Sequence, residues 1–186
     1  KLLNNHGGLY NRVTYEIKLS PFNLKECEDF YKSNGVILSR YDIAQSYMVL
    51  GGIPYYMGYV NPGLSLAQNI DNMFFKKNAV FKDEYNRLFA SVFVNPEAVK
   101  SIVQLLYTRN AGFTRKEIIE KLGIKDGGRL SSNLNALISS DFIIKYVPFG
   151  HGKREEHYKL TDPFCMFYLH FIWNRHKLSE KFWQQN

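Results

Sequence analysis

Apolar residues recur along most of this chain at the 3.6-residue spacing of helices and alternate at the spacing of strands only in a few short stretches. The first alternation, Tyr15, Ile17 and Leu19, predicts a strand over Thr14 to Leu19 that Pro21 terminates. Asn23 then caps a helix whose capping box Glu26 completes; Leu24, Cys27, Phe30 and Tyr31 form its apolar side, and it ends near Gly35. A second helix from about Tyr41 carries Ile43, Ala44, Tyr47, Met48 and Leu50 up to Gly51 and Gly52. Pro54 starts another, so the two glycines read as a helix end rather than as a hinge. Helical patterns follow from about Leu64 to Lys77 and from Ala79 to Phe93, the latter packing through Tyr85, Leu88, Phe89, Val92 and Phe93. Together these predict a small helical bundle. Tyr55, Tyr56 and Tyr59 are assigned to its core rather than to stacking on a base.

From Phe113 the pattern changes. Thr114 and Glu117 make a second capping box, Ile118, Ile119 and Leu122 follow at helical spacing, and Gly123 supplies the left-handed end. After the Gly127-Gly128 turn, Leu130, Leu134, Leu137 and Ile138 form one stripe, with Arg129, Ser132, Asn133 and Asn135 expected on the opposite side. Phe142 to Val147 and Glu156 to Leu160 read as two strands joined through Gly150, His151, Gly152, Lys153 and Arg154. Two helices and a basic-tipped hairpin form a winged helix, and short polar side chains with an arginine suit a recognition helix that meets base edges and phosphates. Arg129, Ser132, Asn133, Asn135, Lys153 and Arg154 are therefore the candidate contacts to double-stranded DNA. The competing readings are a solvated helix face and an ordinary basic loop tip.

Composition narrows the picture. A hydrophobic fraction of 45% against 22% charged residues argues for a folded chain, and 13 Tyr with 14 Phe supply large side chains for modest cores. The net charge of +7 favours polyanions weakly. Within residues 95 to 160 there are 11 Lys and Arg against 7 Asp and Glu, which permits DNA binding without demanding it. Cys27 and Cys165 match no metal-ligand spacing and read as free thiols in a reducing cytoplasm. The pairs His151/His157 and His170/His176 have no carboxylate cluster around them, so no metal is expected. No apolar run spans a bilayer and no secretory signal opens the sequence, which places the expected partners away from membranes.

The motifs in order are Gly8-Leu9-Tyr10-Asn11-Arg12, Ile17-Lys18-Leu19-Ser20-Pro21-Phe22, Tyr47-Met48-Val49-Leu50-Gly51-Gly52-Ile53-Pro54-Tyr55-Tyr56 and the hairpin unit. This succession resembles the archaeal-type ATPase family of the AAA+ (STAND-like) P-loop class, in its Bacteroides-type form, across essentially the whole chain. The resemblance implies a mainly α fold: residues 1–22 as the end of the ATPase core with a remnant strand, 23–94 as the helical lid bundle, 95–161 as the winged helix, and 162–186 as a helix leading to a further domain. Thr161-Asp162-Pro163-Phe164 looks like the lead into that domain, which in the family is often restriction-endonuclease-like. ATP and magnesium are implied for a parent chain, with the ATPase core and the further domain as partners and a homo-oligomer left open. Arg12, before the last core strand, matches the place where related ATPases often carry an arginine that reaches a neighbour's nucleotide.

The chain departs from that family in one large respect. It has no Gly-x-x-x-x-Gly-Lys-Ser/Thr loop, since Gly150-His151-Gly152-Lys153 lacks both the spacing and the hydroxyl, and no acidic strand end. Catalysis by these residues alone is therefore not expected, nor is any cofactor bound by them. The expected role is coupling of nucleotide state to DNA or partner binding. Two alternatives remain: a free-standing winged-helix transcription regulator, and a winged helix used for protein contact or autoinhibition. The aromatic pair Phe182 and Trp183 requires something to pack against.

Overall fold

The computed structural model describes residues 15, 17–152, 155–173 and 178–185. It is mainly helical, with one small three-stranded antiparallel sheet. Helix α1 (Leu24–Ser33) starts at the Asn23/Glu26 capping box, and α2 (Arg40–Leu50) starts at a second box made by Ser39 and Asp42. Gly51 ends α2 in the left-handed conformation at φ 67°, and Pro54 opens the short helix α3 (Pro54–Met57), as a helix end followed by a new start requires.

Two expected helices are shorter and less regular than their patterns. In place of one helix over 64–77, α4 (Leu66–Ile70) passes directly into a π-helical turn, Asp71–Phe75. Asp71, Met73, Phe74 and Phe75 of this wider turn are all buried. Helix α5 (Glu84–Val92) begins five residues later than Ala79, because the Phe81 N–H is taken by the Met73 carbonyl at 3.0 Å and the chain turns there. Phe81 is fully buried as a result.

The expected strand over Thr14 to Leu19 is corrected. Thr14 and Glu16 lie outside the described residues, while residues 17–19 form no strand and Ile17 and Leu19 are 70% and 86% exposed. A strand exists only through a neighbour's backbone groups, and none of the described strands runs beside this one. The segment is tied instead by Lys18 to Asp141 at 2.8 Å and by the Phe22 N–H to the Gly52 carbonyl at 2.8 Å.

Beyond the bundle, α6 (Pro96–Tyr107) packs through Val99, Ile102, Val103 and Leu106. Strand β1 (Phe113–Thr114) leads into α7 (Arg115–Leu122), then α8 (Gly128–Ser139), β2 (Ile143–Tyr146) and β3 (His157–Leu160). Strand β3 lies between β1 and β2, with Phe113 opposite Tyr158 and Lys145 also opposite Tyr158 on the other side. Gly112 makes this closeness possible: at φ +71°, a Cβ there would lie 2.0 Å from the Tyr158 carbonyl oxygen.

Helix α9 (Pro163–Phe171) returns to the bundle and packs on α2. Phe164 stacks on Tyr56 at 5.2 Å between ring centroids, and Tyr168 lies flat on Tyr85 at 4.3 Å. The short helix α10 (Phe182–Gln185) closes the structure, so Phe182 meets Phe75 and Trp183 meets Phe167 and Phe171. One continuous hydrophobic core runs from Cys27 to Leu169. Among the described residues, no helix is long and apolar enough to cross a membrane.

Candidate nucleic-acid interface

The candidate surface is built on α7, α8 and the β2–β3 loop. Helix α7 is held at its start by a compact polar cluster. Thr114 caps the Glu117 N–H, and the Glu117 carboxylate accepts from the Thr114 N–H at 2.7 Å and from Arg109 at 2.8 Å on each oxygen. Burial opposes ionisation of Glu117, but the Thr114 backbone, Arg109 and the Thr114 hydroxyl outweigh it and hold the carboxyl at about 2. Arg109 also lies over the Phe113 ring at 3.9 Å. This arginine is therefore part of the scaffold.

A second clamp sets the turn before α8. Arg115 donates through Nε to Asp126 at 2.9 Å and through Nη2 to the Gly127 carbonyl at 3.2 Å. The hydrogen bond to Arg115, opposed by slight burial, is what lowers the Asp126 carboxyl. These contacts fix where α8 begins although its first turn lacks a side-chain cap.

Helix α8 presents Arg129, Ser132 and Asn135 to solvent, one turn apart. Asn133 is not with them. It is 9% exposed and belongs to the packing side, because positions 130, 133, 134 and 137 fall at the i, i+3, i+4, i+7 spacing that defines the buried stripe. Its expected placement on the solvent face is corrected on that ground. Arg129 approaches the Asn95 side chain only at 3.5 Å, a long contact that leaves its guanidinium available.

The hairpin loop carries mixed charge. Lys153, Arg154 and Arg12 lie outside the described residues. Around the loop, His151 contacts Glu155 at 3.0 Å and Lys145 pairs with Glu156 at 3.2 Å, so carboxylates lie among its basic residues. Phe149 stands fully exposed at the turn beside Gly150, whose φ is +81°.

Two residues of this surface escape the sequence patterns. Lys125, in the turn before α8, is exposed and makes no ion pair among the described residues. Its position just before Asp126-Gly127-Gly128 was the available signal. Phe149 gives no periodic signal at all. Cys27 and Cys165 are free and buried, and burial pushes both thiols up, which suits packing rather than nucleophilic chemistry. Among the described residues, no three His, Cys, Asp or Glu side chains gather as a metal site would need.

No protein-family model, curated protein or solved structure matches the chain. The functional reading accordingly rests on the residues themselves.

Proposed function

We propose that this chain is the lid and winged-helix region of an AAA+ P-loop ATPase, coupling nucleotide state to the binding of double-stranded DNA. The observation that carries the reading is the order α6, β1, α7, α8, β2, β3, with β3 between the other two strands and Arg129, Ser132 and Asn135 of α8 exposed to solvent. In this reading α8 is the recognition helix, with Arg129, Ser132 and Asn135 meeting the groove. The β2–β3 loop is the wing, with Lys153 and Arg154 on the phosphates.

The bundle acts as the lid. A shift of its position against a nucleotide-binding core would carry the hairpin unit with it as a rigid body, which requires different contacts in the two nucleotide states. ATP and magnesium belong to that core; the chain itself contains no phosphate-binding loop, and no phosphoryl-transfer step is assigned to its residues. Arg12 keeps its implied role only if Arg12→Ala lowers ATP turnover in the parent protein.

The deciding experiment is duplex binding by fluorescence anisotropy over a salt series. Joint substitution of Arg129, Ser132 and Asn135 to Ala is expected to weaken binding about tenfold or more. Lys153→Ala with Arg154→Ala is expected to flatten the salt slope by about two. Unchanged low-salt affinity in both sets ends the DNA reading. A second reading has its own support: Phe149, fully exposed in the β2–β3 loop, suits a protein partner, which the same variants would leave bound.

A further inference from the structure

Away from that surface, a cavity of about 640 Å³ opens between α2, α6, α9 and α10. Its apolar walls include Met48 of α2, Leu106 of α6, Met166 of α9 and Trp183 of α10. At one side the Tyr107 hydroxyl and His170 Nδ1 are joined at 2.8 Å, and the neutral amides of Gln45 and Asn110 also face the space. The lining contains no Asp, Glu, Lys or Arg among the described residues.

We propose that this cavity is a binding site for an uncharged, largely aromatic or aliphatic small molecule that carries one hydrogen-bonding group. Size is the first argument, since small-molecule pockets span roughly 300 to 1,000 Å³ and are mostly apolar with a few convergent polar groups. Charge is the second. An ionised ligand would lose its hydration here and meet no counter-charge among the described lining residues, whereas a neutral one loses little and can turn its polar group toward Tyr107 and His170. Adaptability is the third. Met48 of α2 and Met166 of α9, 69% and 37% exposed, are flexible thioethers in the lining that can adapt to the shape of a bound ring. The site joins elements of the bundle to α6 and, through Leu160, to β3, and it stands independently of the DNA reading.

The test uses two probes with the same ring frame: uncharged N-phenyl-1-naphthylamine and its sulfonated relative 1-anilinonaphthalene-8-sulfonate, each titrated into the full chain. The neutral probe is expected to saturate at one per chain and to bind about tenfold tighter than the sulfonate. Met166→Glu and Met48→Glu, both at exposed positions, should each weaken the neutral probe about tenfold with circular dichroism and thermal midpoint unchanged. If one variant misfolds, the other carries the test. The proposal is overturned if the neutral probe shows no saturable binding, if the sulfonate binds as tightly, or if folded variants bind the neutral probe like the parent. A dimer that Met166→Glu dissociates in sedimentation would also overturn it, since the cavity would then be an interface between copies.

Discussion

The bundle of residues 24–92 and the unit of residues 96–160 are built on different principles. In the bundle, rings such as Tyr31, Tyr56, Phe74, Phe81, Tyr85 and Phe89 are buried together with the polar Ser46, Asn69 and Asp71, and α4 breaks into a π-helical turn after five residues. Asn69 ties residues 61–65 through four hydrogen bonds, Tyr56 donates to Glu84 at 3.0 Å, and buried Asp71 accepts the Trp183 N–H at 2.7 Å and the Gln184 N–H at 3.2 Å. The hairpin unit is largely aliphatic, with Val103, Leu106, Ile118, Leu134 and Leu137 buried alongside Phe113, Phe142 and Tyr158. The contrast teaches that large rings fill irregular space and force the backbone to follow, while aliphatic stripes leave helices regular.

The sharpest way to break the comparison is to cut the seam between the two. Phe142 packs on Phe89 and Phe93, each at 5.4 Å between ring centroids. Phe142→Ala should cost about 4 kcal/mol and split one thermal unfolding transition into two, as scanning calorimetry would record. A single, merely lower transition would mean that the regions do not differ in how they unfold. Next in size is Gly112→Ala, which forces a Cβ onto the Tyr158 carbonyl in a left-handed conformation. It should cost about 3 kcal/mol by urea denaturation, with amide exchange rising in β1 and β3.

Asp71→Asn tests the polar side of the bundle. Removing the charge that caps α10 should cost about 2 kcal/mol and speed amide exchange at Trp183 and Gln184, while α7 and α8 keep their protection. Tyr85→Phe has the opposite sign. The Tyr85 hydroxyl is buried without a hydrogen-bond partner among the described residues, so its removal should stabilise the chain by about 1 kcal/mol in urea.

The smallest effect belongs to Glu117 in the hairpin unit. Its carboxyl, held at about 2, lies below the roughly 4.3 of an unfolded glutamate, so its contribution is complete above that value and is lost as pH falls toward 2. Glu117→Gln should therefore cost just under about 1 kcal/mol at neutral pH, and the difference from the parent should vanish in acid. An equal deficit at pH 2 and pH 7 would remove the ion pair with Arg109 from the account.

Legibility followed the same division. Both predicted capping boxes, the Gly51 and Gly123 helix ends, and the two strands of the hairpin were readable because each depends on residues a few positions apart. Helix α6 carries an equally local signal, Pro96 followed by Val99, Ile102, Val103 and Leu106 at helical spacing, although the stronger hairpin pattern beside it overshadows it. On the candidate surface, Arg129, Ser132 and Asn135 fell where the pattern put them. Asn133 did not, because its polarity suggests solvent while its position, which decides the direction of a helical side chain, puts it on the buried stripe.

By itself the amino-acid order determined where α1, α2 and α7 begin and end, which stripes are apolar, and that a hairpin follows α8. Those are short-range matters of capping, turn geometry and periodicity, settled within a few residues. Only the tertiary structure decided that Asp71 would serve a helix more than a hundred positions away, that Gly52 and Gly112 must lack a Cβ because the Phe22 and Tyr158 carbonyls pass close by, and that α9 and α10 fold back to wall a cavity. Each depends on backbone segments distant in sequence arriving at one point, and no local pattern carries the information of what arrives there.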